Sequence, residues 1–328
     1  MNDTATVNVT AKHSMLVATL VATLTLVSLS CGGGDTAPRT TPDSSNVIEM
    51  SISGLAFEGP DAVSSGWTTI RLKNTSGMTH FAILERLPEG IGIEEQQREI
   101  APVFQAGMNL LNEGKADEAT EMFGTLPEWF YDVVFTGGVG FISPWQTAEM
   151  TVLLEPGTYL LECYVKTVGV FHSFNPIPDL YGMVHEITVT EEASGAPEPE
   201  ADIELTISSE RGIEVEGDIG LGRHTVAVHF EDQVVYDHFL GHDVHLARLT
   251  ENTDLDALEA WMDWTQPRGL ETPAPAEFLG GLHEMPAGQT GYFVIDLEPG
   301  SYAWIAEVPD PAGKVMLKTF STSVRGGR

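Results

Sequence analysis

The chain has 328 residues, which is enough for two modest domains rather than one large one. Acidic residues outnumber basic residues, with 48 Asp and Glu against 16 Lys and Arg, so the formal net charge is −32 and the pI is about 4.4. That balance argues against nucleic acid as a partner, because little in the chain could displace counterions from a phosphate backbone. A hydrophobic fraction of 42% still allows packed cores.

The N-terminal part contains an uncharged apolar run, Met15–Ser30, which is followed by Cys31 and three glycines. The run is too short for a comfortable membrane span and is typical of a signal-peptide core. The Cys after such a run resembles a bacterial lipoprotein processing site, which implies that Cys31 carries lipid. We therefore predict a signal peptide over residues 1–31, a flexible tether over 32–46, and an exported protein anchored at the outer membrane. An ordinary secretory signal or an uncleaved anchor is the alternative.

An internal repeat organises the rest of the chain. At an offset of 143 residues, turn and strand residues of the two halves match without a gap: Gly137-Gly138 with Gly280-Gly281, Gln146-Thr147 with Gln289-Thr290, and Leu154-Glu155-Pro156-Gly157 with Leu297-Glu298-Pro299-Gly300. So many matches in one register indicate two copies of one domain. The predicted domains are 47–192 and 202–324, and a Pro/Glu-rich linker, 193–201, joins them.

Short alternating segments with Gly/Pro turns predict strands, and each copy also has a helical insertion. The predicted strands are Trp67–Lys73, Met150–Leu154, Thr158–Tyr164 and Gly182–Thr190 in the first copy, and Tyr292–Leu297 and Ser301–Val308 in the second. The predicted helices are Ile93–Asn112 with a break at Pro102, Ala116–Phe123, and one from a capping box at Thr253 to Trp264. This pattern indicates an all-β protein of two tandem β-sandwiches, whose helices cover one end.

Four residues of the first copy have the order of a metal site. His80 follows an Asn-containing turn, and Cys163, His172 and Met183 come near the last strand. In this order the chain resembles the cupredoxins, the blue-copper Greek-key β-sandwich family, over residues 47–192 and more weakly over 202–324. The resemblance implies two cupredoxin-like domains and one bound copper ion.

The same resemblance implies a role for each residue. Cys163 thiolate with the imidazoles of His80 and His172 would form the trigonal set, and Met183 would be a long axial ligand. His185 is an alternative axial ligand, and the Asn74 side chain would hold the loops. The loop from Cys163 to Met183 is longer than the family's. Cys163 as an inert buried thiol, or in an intermolecular disulfide, is the alternative, because lipid on Cys31 would leave it unpaired.

The second copy lacks this set. Ala306 and Val315 replace Cys163 and His172, while His245 parallels His80 and Met316 parallels Met183, so we expect no blue-copper centre there. Five histidines nevertheless lie close together in its sequence: His224, His229, His238, His242 and His245. The last three, with Asp237 or Asp243, could bind a divalent ion, although a solvated histidine-rich loop is the interpretation we favour.

These patterns predict an exported copper-binding protein that transfers electrons or handles copper. Its expected partners are the membrane, through the lipid anchor, and a redox protein. The residues beside Cys163 are Glu162 and Tyr164, where multicopper oxidases and nitrite reductases have histidine, so we predict that the chain is not an enzyme. The alternative is a binding or scaffold lipoprotein that keeps the fold without the metal.

Overall fold

The structure is a computed structural model, and it describes residues 46–177, 179–236 and 239–324. Asp43–Arg328 forms one compact unit. The predictions on Cys31, the signal peptide, the tether, Asp237 and His238 lie outside the described residues. No helix in the described part of the chain is long and apolar enough to span a membrane.

The described residues of the first copy form ten strands. They are β1 Val47–Ser53, β2 Ala56–Glu58, β3 Ala62–Asn74, β4 His80–Arg86, β5 Val134–Ile142, β6 Thr147–Leu154, β7 Gly157–Glu162, β8 Lys166–Thr167, β9 Val170–Phe171 and β10 Val184–Ala193. Strands β2, β1, β3 and β6 pair in that order, as do β5, β4, β7 and β10. Strand β10 also pairs in parallel with the start of β3, which links the two groups. Alternate residues of β1, such as Met50 and Ile52, are buried between them.

The second copy forms eight strands in the part that the structure describes. They are β11 Ile203–Ser208, β12 Gly212–Gly217, β13 Gly222–Phe230, β14 Val244–Leu249, β15 Glu277–Leu282, β16 Thr290–Leu297, β17 Gly300–Ile305 and β18 Leu317–Thr322. Their pairing repeats that of the first copy, with β12, β11, β13 and β16 in one group and β15, β14, β17 and β18 in the other. The predicted all-β sandwich fold class is therefore confirmed. The exact domain limits, 47–192 and 202–324, stay a prediction.

The helices are α1 Ile93–Glu95, α2 Ala101–Asn112, α3 Ala116–Phe123 and α4 Leu255–Trp261. A π-helical turn, Gln96–Ile100, interrupts the first insertion before Pro102, the second residue of α2, whose ring nitrogen has no N–H to donate to the preceding turn. Helix α4 is capped by Asp254, whose Oδ1 accepts from the Ala257 N–H at 3.2 Å, and it ends before the predicted Trp264.

The two copies share their sheets. Strand β6 pairs with β16, where Met150 lies opposite Phe293, and β5 pairs with β15, where Val139 lies opposite Leu282. In each pair the two residues are 143 positions apart, so a residue of one copy meets its own counterpart in the other. Such pairing relates the copies by an approximate twofold axis at this junction.

The strand register corrects one predicted correspondence between the copies. His245 of the second copy lies opposite Gly281 and Ile305 on its two neighbouring strands. Ile83 of the first copy lies opposite Gly138 and Glu162. Because these partners are counterparts at the 143-residue offset, His245 corresponds to Ile83 and not to His80. His242, three residues earlier, corresponds to His80. The prediction that His245 parallels His80 is therefore wrong, because the segments before β4 and β14 differ in length.

Candidate metal centre

Three of the predicted ligands come from two paired strand ends and the loop beside them. His80 is the first residue of β4, and Cys163 follows the last residue of β7 directly. Strands β4 and β7 are antiparallel neighbours, with Ile83 opposite Glu162, so the start of one lies beside the end of the other. Residues separated by 83 positions in the sequence are thereby adjacent in space.

The donor atoms of His80, Cys163 and His172 converge on one point. Cys163 Sγ lies 3.6 Å from His80 Nδ1 and 3.8 Å from His172 Nδ1, and all three donor atoms lie within 4.8 Å of one another. The ring centroids of the two histidines are 4.9 Å apart. All three side chains are buried, so the group is a preformed set of one sulfur and two nitrogen donors.

The long loop after Cys163 folds back on itself and thereby returns His172 to the site. Strands β8 and β9 form a short hairpin between the two ligands, and the His172 N–H donates to the Val165 carbonyl at 2.8 Å. His172 Nε2 lies 2.9 Å from Thr167 Oγ1 on the same hairpin, which fixes the ring orientation. Extra loop length thus accommodates the hairpin without displacing the ligand.

Met183 and His185, the two axial candidates, are placed differently. Met183 is buried, its N–H donates to the His172 carbonyl at 2.6 Å, and its carbonyl accepts from the Cys163 N–H at 3.1 Å. Its backbone therefore joins both ligands. His185 is turned away, with Nε2 3.2 Å from the Pro60 carbonyl oxygen, and is not part of the group.

Asn74 ties together the two loops that flank His80. Its buried amide donates to the carbonyls of Met78, Ile142 and Ser143 at 2.7, 3.1 and 3.2 Å, and its Oδ1 accepts from the Ser76 N–H at 2.9 Å. This network holds the turn before β4 against the end of β5, which agrees with the supporting role predicted for Asn74.

We expect Asn74→Ala to lower the free energy of unfolding by about 2–3 kcal/mol, because buried carbonyls and the Ser76 N–H lose their partner. Denaturant unfolding measures the change, and Asn252→Ala, an exposed asparagine of the second copy, is the control, with an expected change below about 0.5 kcal/mol. Equal stability of the two variants would contradict the role given to Asn74.

Burial sets the protonation of the three donors. It lowers the pKa of His80 to about 4, and together with the neighbouring His80 it lowers the pKa of His172 to about 3. It raises the pKa of the Cys163 thiol to about 12. Both imidazoles are therefore neutral near pH 7 and free to donate to a metal, which would have to displace the thiol proton on binding.

The donor set fits copper, as predicted. A soft thiolate with two imidazoles in a trigonal arrangement is characteristic of type 1 copper sites, and a thioether residue, Met183, adjoins both loop ligands. His80 Nε2 is buried without a hydrogen-bond partner, so no hydrogen bond of that atom holds the ring away from the metal position.

The helical insertion of the first copy covers a cavity next to this group. The cavity is lined by Glu85, Glu162 and Ser173 beside the metal-binding loop, and by aromatic rings that include Phe104 and Trp264. Burial raises the pKa of Glu162 to about 7, and its carboxylate accepts from the Gln96 side chain. Because Trp264 belongs to the second copy, the helices lie over the junction of the copies as well as over the sandwich end.

Among the described residues of the histidine-rich segment, the four histidines do not lie together in a solvated loop. His224 and His229 lie on β13, near Asp202 and Thr290, but His242 and His245 are buried. His242 Nε2 lies 3.2 Å from the Tyr236 hydroxyl oxygen, away from His245. The favoured interpretation is therefore wrong for these two residues, because the strand β14 and the loop before it carry them into the core.

A second group of donor atoms lies in the second copy. The side chains of Asp243, His245, His283 and Glu307 are all buried, and one donor atom of each lies within 4.8 Å of the others. No sequence pattern pointed to His283 and Glu307, which are far from the histidine-rich segment. The sequence offered one signal for them, their position just after a strand: His283 follows the end of β15 directly, and Glu307 follows the end of β17 by two residues. At the offset of 143 residues, they correspond to Gly140 and Tyr164 of the first copy.

No protein-family model matches the chain, and no curated protein matches it by sequence. Among solved structures, auracyanin A, a blue copper protein from Chloroflexus aurantiacus, is 23% identical with a TM-score of 0.25, over 44% of this chain and 98% of that one. A blue copper oxidase from Nitrosomonas europaea is 12% identical with a TM-score of 0.22, over 84% of this chain and 85% of the other. A copper-containing nitrite reductase from Thermus scotoductus is 11% identical with a TM-score of 0.20, over 84% and 61%.

Two of these similar structures contradict the prediction that the chain is not an enzyme, because they extend over 84% of the chain and are described as an oxidase and a reductase. That prediction was wrong because it was based on Glu162 and Tyr164 beside Cys163. These two residues exclude one route of electrons to a second copper ion, but they do not exclude catalysis in general. Similarity at this level assigns no activity to the chain.

Proposed function

We propose that the chain binds one copper ion through His80, Cys163 and His172, with Met183 as the axial ligand, and exchanges single electrons through it. The observation that carries the proposal is the convergence of Cys163 Sγ on both histidine Nδ1 atoms, at 3.6 and 3.8 Å. Donors that are already assembled need little rearrangement when the metal changes its charge, which suits electron transfer.

The rigidity of the surroundings supports the same function. Thr167 orients the His172 ring, and Asn74 holds the turn that presents His80. Partners of this kind fix the ligand rings and tune the metal. A redox partner protein is part of the proposal, since electrons must arrive and leave.

Titration of the purified full-length protein with Cu(II) tests the proposal. We expect one equivalent of copper per chain, an intense visible band from thiolate-to-copper charge transfer, and a reversible one-electron reduction in voltammetry. A colourless protein that takes up no copper would contradict the proposal and would favour a binding or scaffold role for the same fold.

We further propose that the protein is exported and held at the membrane by lipid on Cys31, as its N-terminal sequence suggests. Cys31→Ala should move the protein from the membrane fraction to the soluble or unprocessed fraction, because one residue carries the anchor. Cys163→Ser removes the other cysteine and should leave fractionation unchanged. If Cys31→Ala stays with the membrane in processed form, the lipid anchor is disproved.

A further inference from the structure

The cluster formed by Asp243, His245, His283 and Glu307, here called the junction cluster, lies where the two copies meet. His245 packs against Phe141 with ring centroids 4.4 Å apart, and His283 packs against Phe81 at 4.6 Å. Both phenylalanines belong to the first copy. Glu307 Oε2 accepts from the Tyr164 hydroxyl, also of the first copy, at 3.2 Å. Aromatic rings therefore enclose the donor atoms and exclude water from them.

Comparison of the copies shows that the acidic residues here are specific to the second copy. At the register established above, Asp243, Glu284 and Glu307 occupy the positions that Phe81, Phe141 and Tyr164 occupy in the first copy. Three aromatic positions on one side of the junction are thus carboxylic acids on the other, and all three acids are buried. Burying carboxylates is costly unless positive charge or protons compensate them.

Asp243 has an unusual set of partners. Its Oδ1 accepts from the Glu307 N–H, and its Oδ2 lies 2.8 Å from His245 Nε2 and 3.8 Å from His283 Nδ1. In the described ranges, no arginine or lysine pairs with Asp243, whose ionic partners are these two imidazoles. The positive charge that would balance Asp243 is therefore not supplied by a basic side chain.

His245 and His283 differ in the hydrogen bonds that their ring nitrogens make. His245 Nδ1 accepts from the Phe141 N–H at 3.2 Å, so its Nε2 carries the proton and donates to Asp243. His283 is only 1% exposed, its Nδ1 lies beyond hydrogen-bond distance of Asp243, and its Nε2 has no hydrogen-bond partner. A buried imidazole without such bonds is costly unless it has a ligand.

We propose that the junction cluster binds a divalent first-row transition-metal ion such as Zn²⁺, with Asp243, His283 and Glu307 as ligands and His245 holding Asp243 in position. Two carboxylates and one imidazole without sulfur form a harder donor set than the one at Cys163, and they suit Zn²⁺ or Mn²⁺ rather than Cu(I). All three ligands belong to the second copy, so the ion would lie in that copy, beside Phe81 and Tyr164 of the first. Since no donor of the cluster is exposed, it enters as the chain folds.

The test uses the full-length Cys163→Ser variant, in which the first site has lost its thiolate, so the result does not depend on copper binding there. The protein is refolded with Zn²⁺, desalted and analysed for metal by mass spectrometry. We expect about one zinc per chain in this parent, and less than a tenth of that after a further Glu307→Gln or His283→Gln exchange. His229→Gln, an exposed histidine of β13, is the matched control and should keep the zinc.

A second measurement separates ligand loss from misfolding. Without metal, Glu307→Gln should unfold at the same or a higher temperature than the parent, because it removes a buried acid of the same shape. With Zn²⁺ present, the parent should gain several degrees and the Gln variant none. Refolding with Co²⁺ should give the parent visible d–d bands without a thiolate band. No zinc or cobalt in the parent, or full zinc content in both ligand variants, would overturn the proposal.

Discussion

Replacing Cys163 by serine is expected to abolish the visible colour of the copper-loaded protein completely and to weaken copper binding by more than about a hundredfold. Cys163 Sγ lies 3.6 and 3.8 Å from the two histidine nitrogens, and a serine oxygen in its place gives no such charge-transfer band. Visible absorption during Cu(II) titration, with the dissociation constant from the same data, measures both effects.

The matched control for this exchange is His185→Ala. His185 is near the site in sequence but bonds to the Pro60 carbonyl, so its loss should leave the band in place. Retention of full colour in Cys163→Ser would assign the copper to other residues and would remove the basis of the electron-transfer proposal.

Gly140→Ala should destabilise the whole unit by about 2–3 kcal/mol and lower Tm by roughly 5–10 °C. A Cβ atom on Gly140 would lie 2.7 Å from Gly281 Cα and 2.7 Å from His245 Nδ1, and the backbone of the neighbouring strand cannot easily yield. The methyl group would therefore push β5 away from β15, where the two copies are paired. Calorimetry of the full-length protein measures the shift.

Gly77→Ala is the control for this second exchange. Gly77 has open space around an added Cβ and lies in a turn of the first copy, so its replacement should change Tm little. If Gly140→Ala proved as stable as Gly77→Ala, the close approach of the copies at β5 and β15 would be disproved.

The meeting of His80, Cys163 and His172 could be predicted from the sequence because its signals are local. A His after an Asn-containing turn, and Cys, His and Met after a strand, follow directly from the chain order. The sandwich topology then determines that β4 and β7 are neighbours, so His80 and Cys163 meet. The β8–β9 hairpin was not predicted, because two-residue strands are too short to show an alternating pattern.

The pairing of strands between the copies could not be predicted from the sequence, for a different reason. Periodicity along one segment shows which face of a strand is buried but not which distant strand pairs with its edge. The pairing of β6 with β16, and the meeting of Asp243 with His283 and Glu307, depend on contacts between the copies. The 143-residue offset already places Glu284 on Phe141 and Glu307 on Tyr164, but only the structural register places Asp243 on Phe81.

The counterpart-to-counterpart pairing at β6–β16 and β5–β15 is the geometry of a symmetric homodimer contained in one polypeptide. In a homodimer every substitution near the axis appears twice, so three acids on one side would face three acids on the other. A covalently joined pair is free of that constraint. Here, His283 packs against Phe81, His245 packs against Phe141, and Glu307 accepts from the Tyr164 hydroxyl. Residues of the second copy thus meet different residues of the first, so the two halves can specialise at the surface that holds them together.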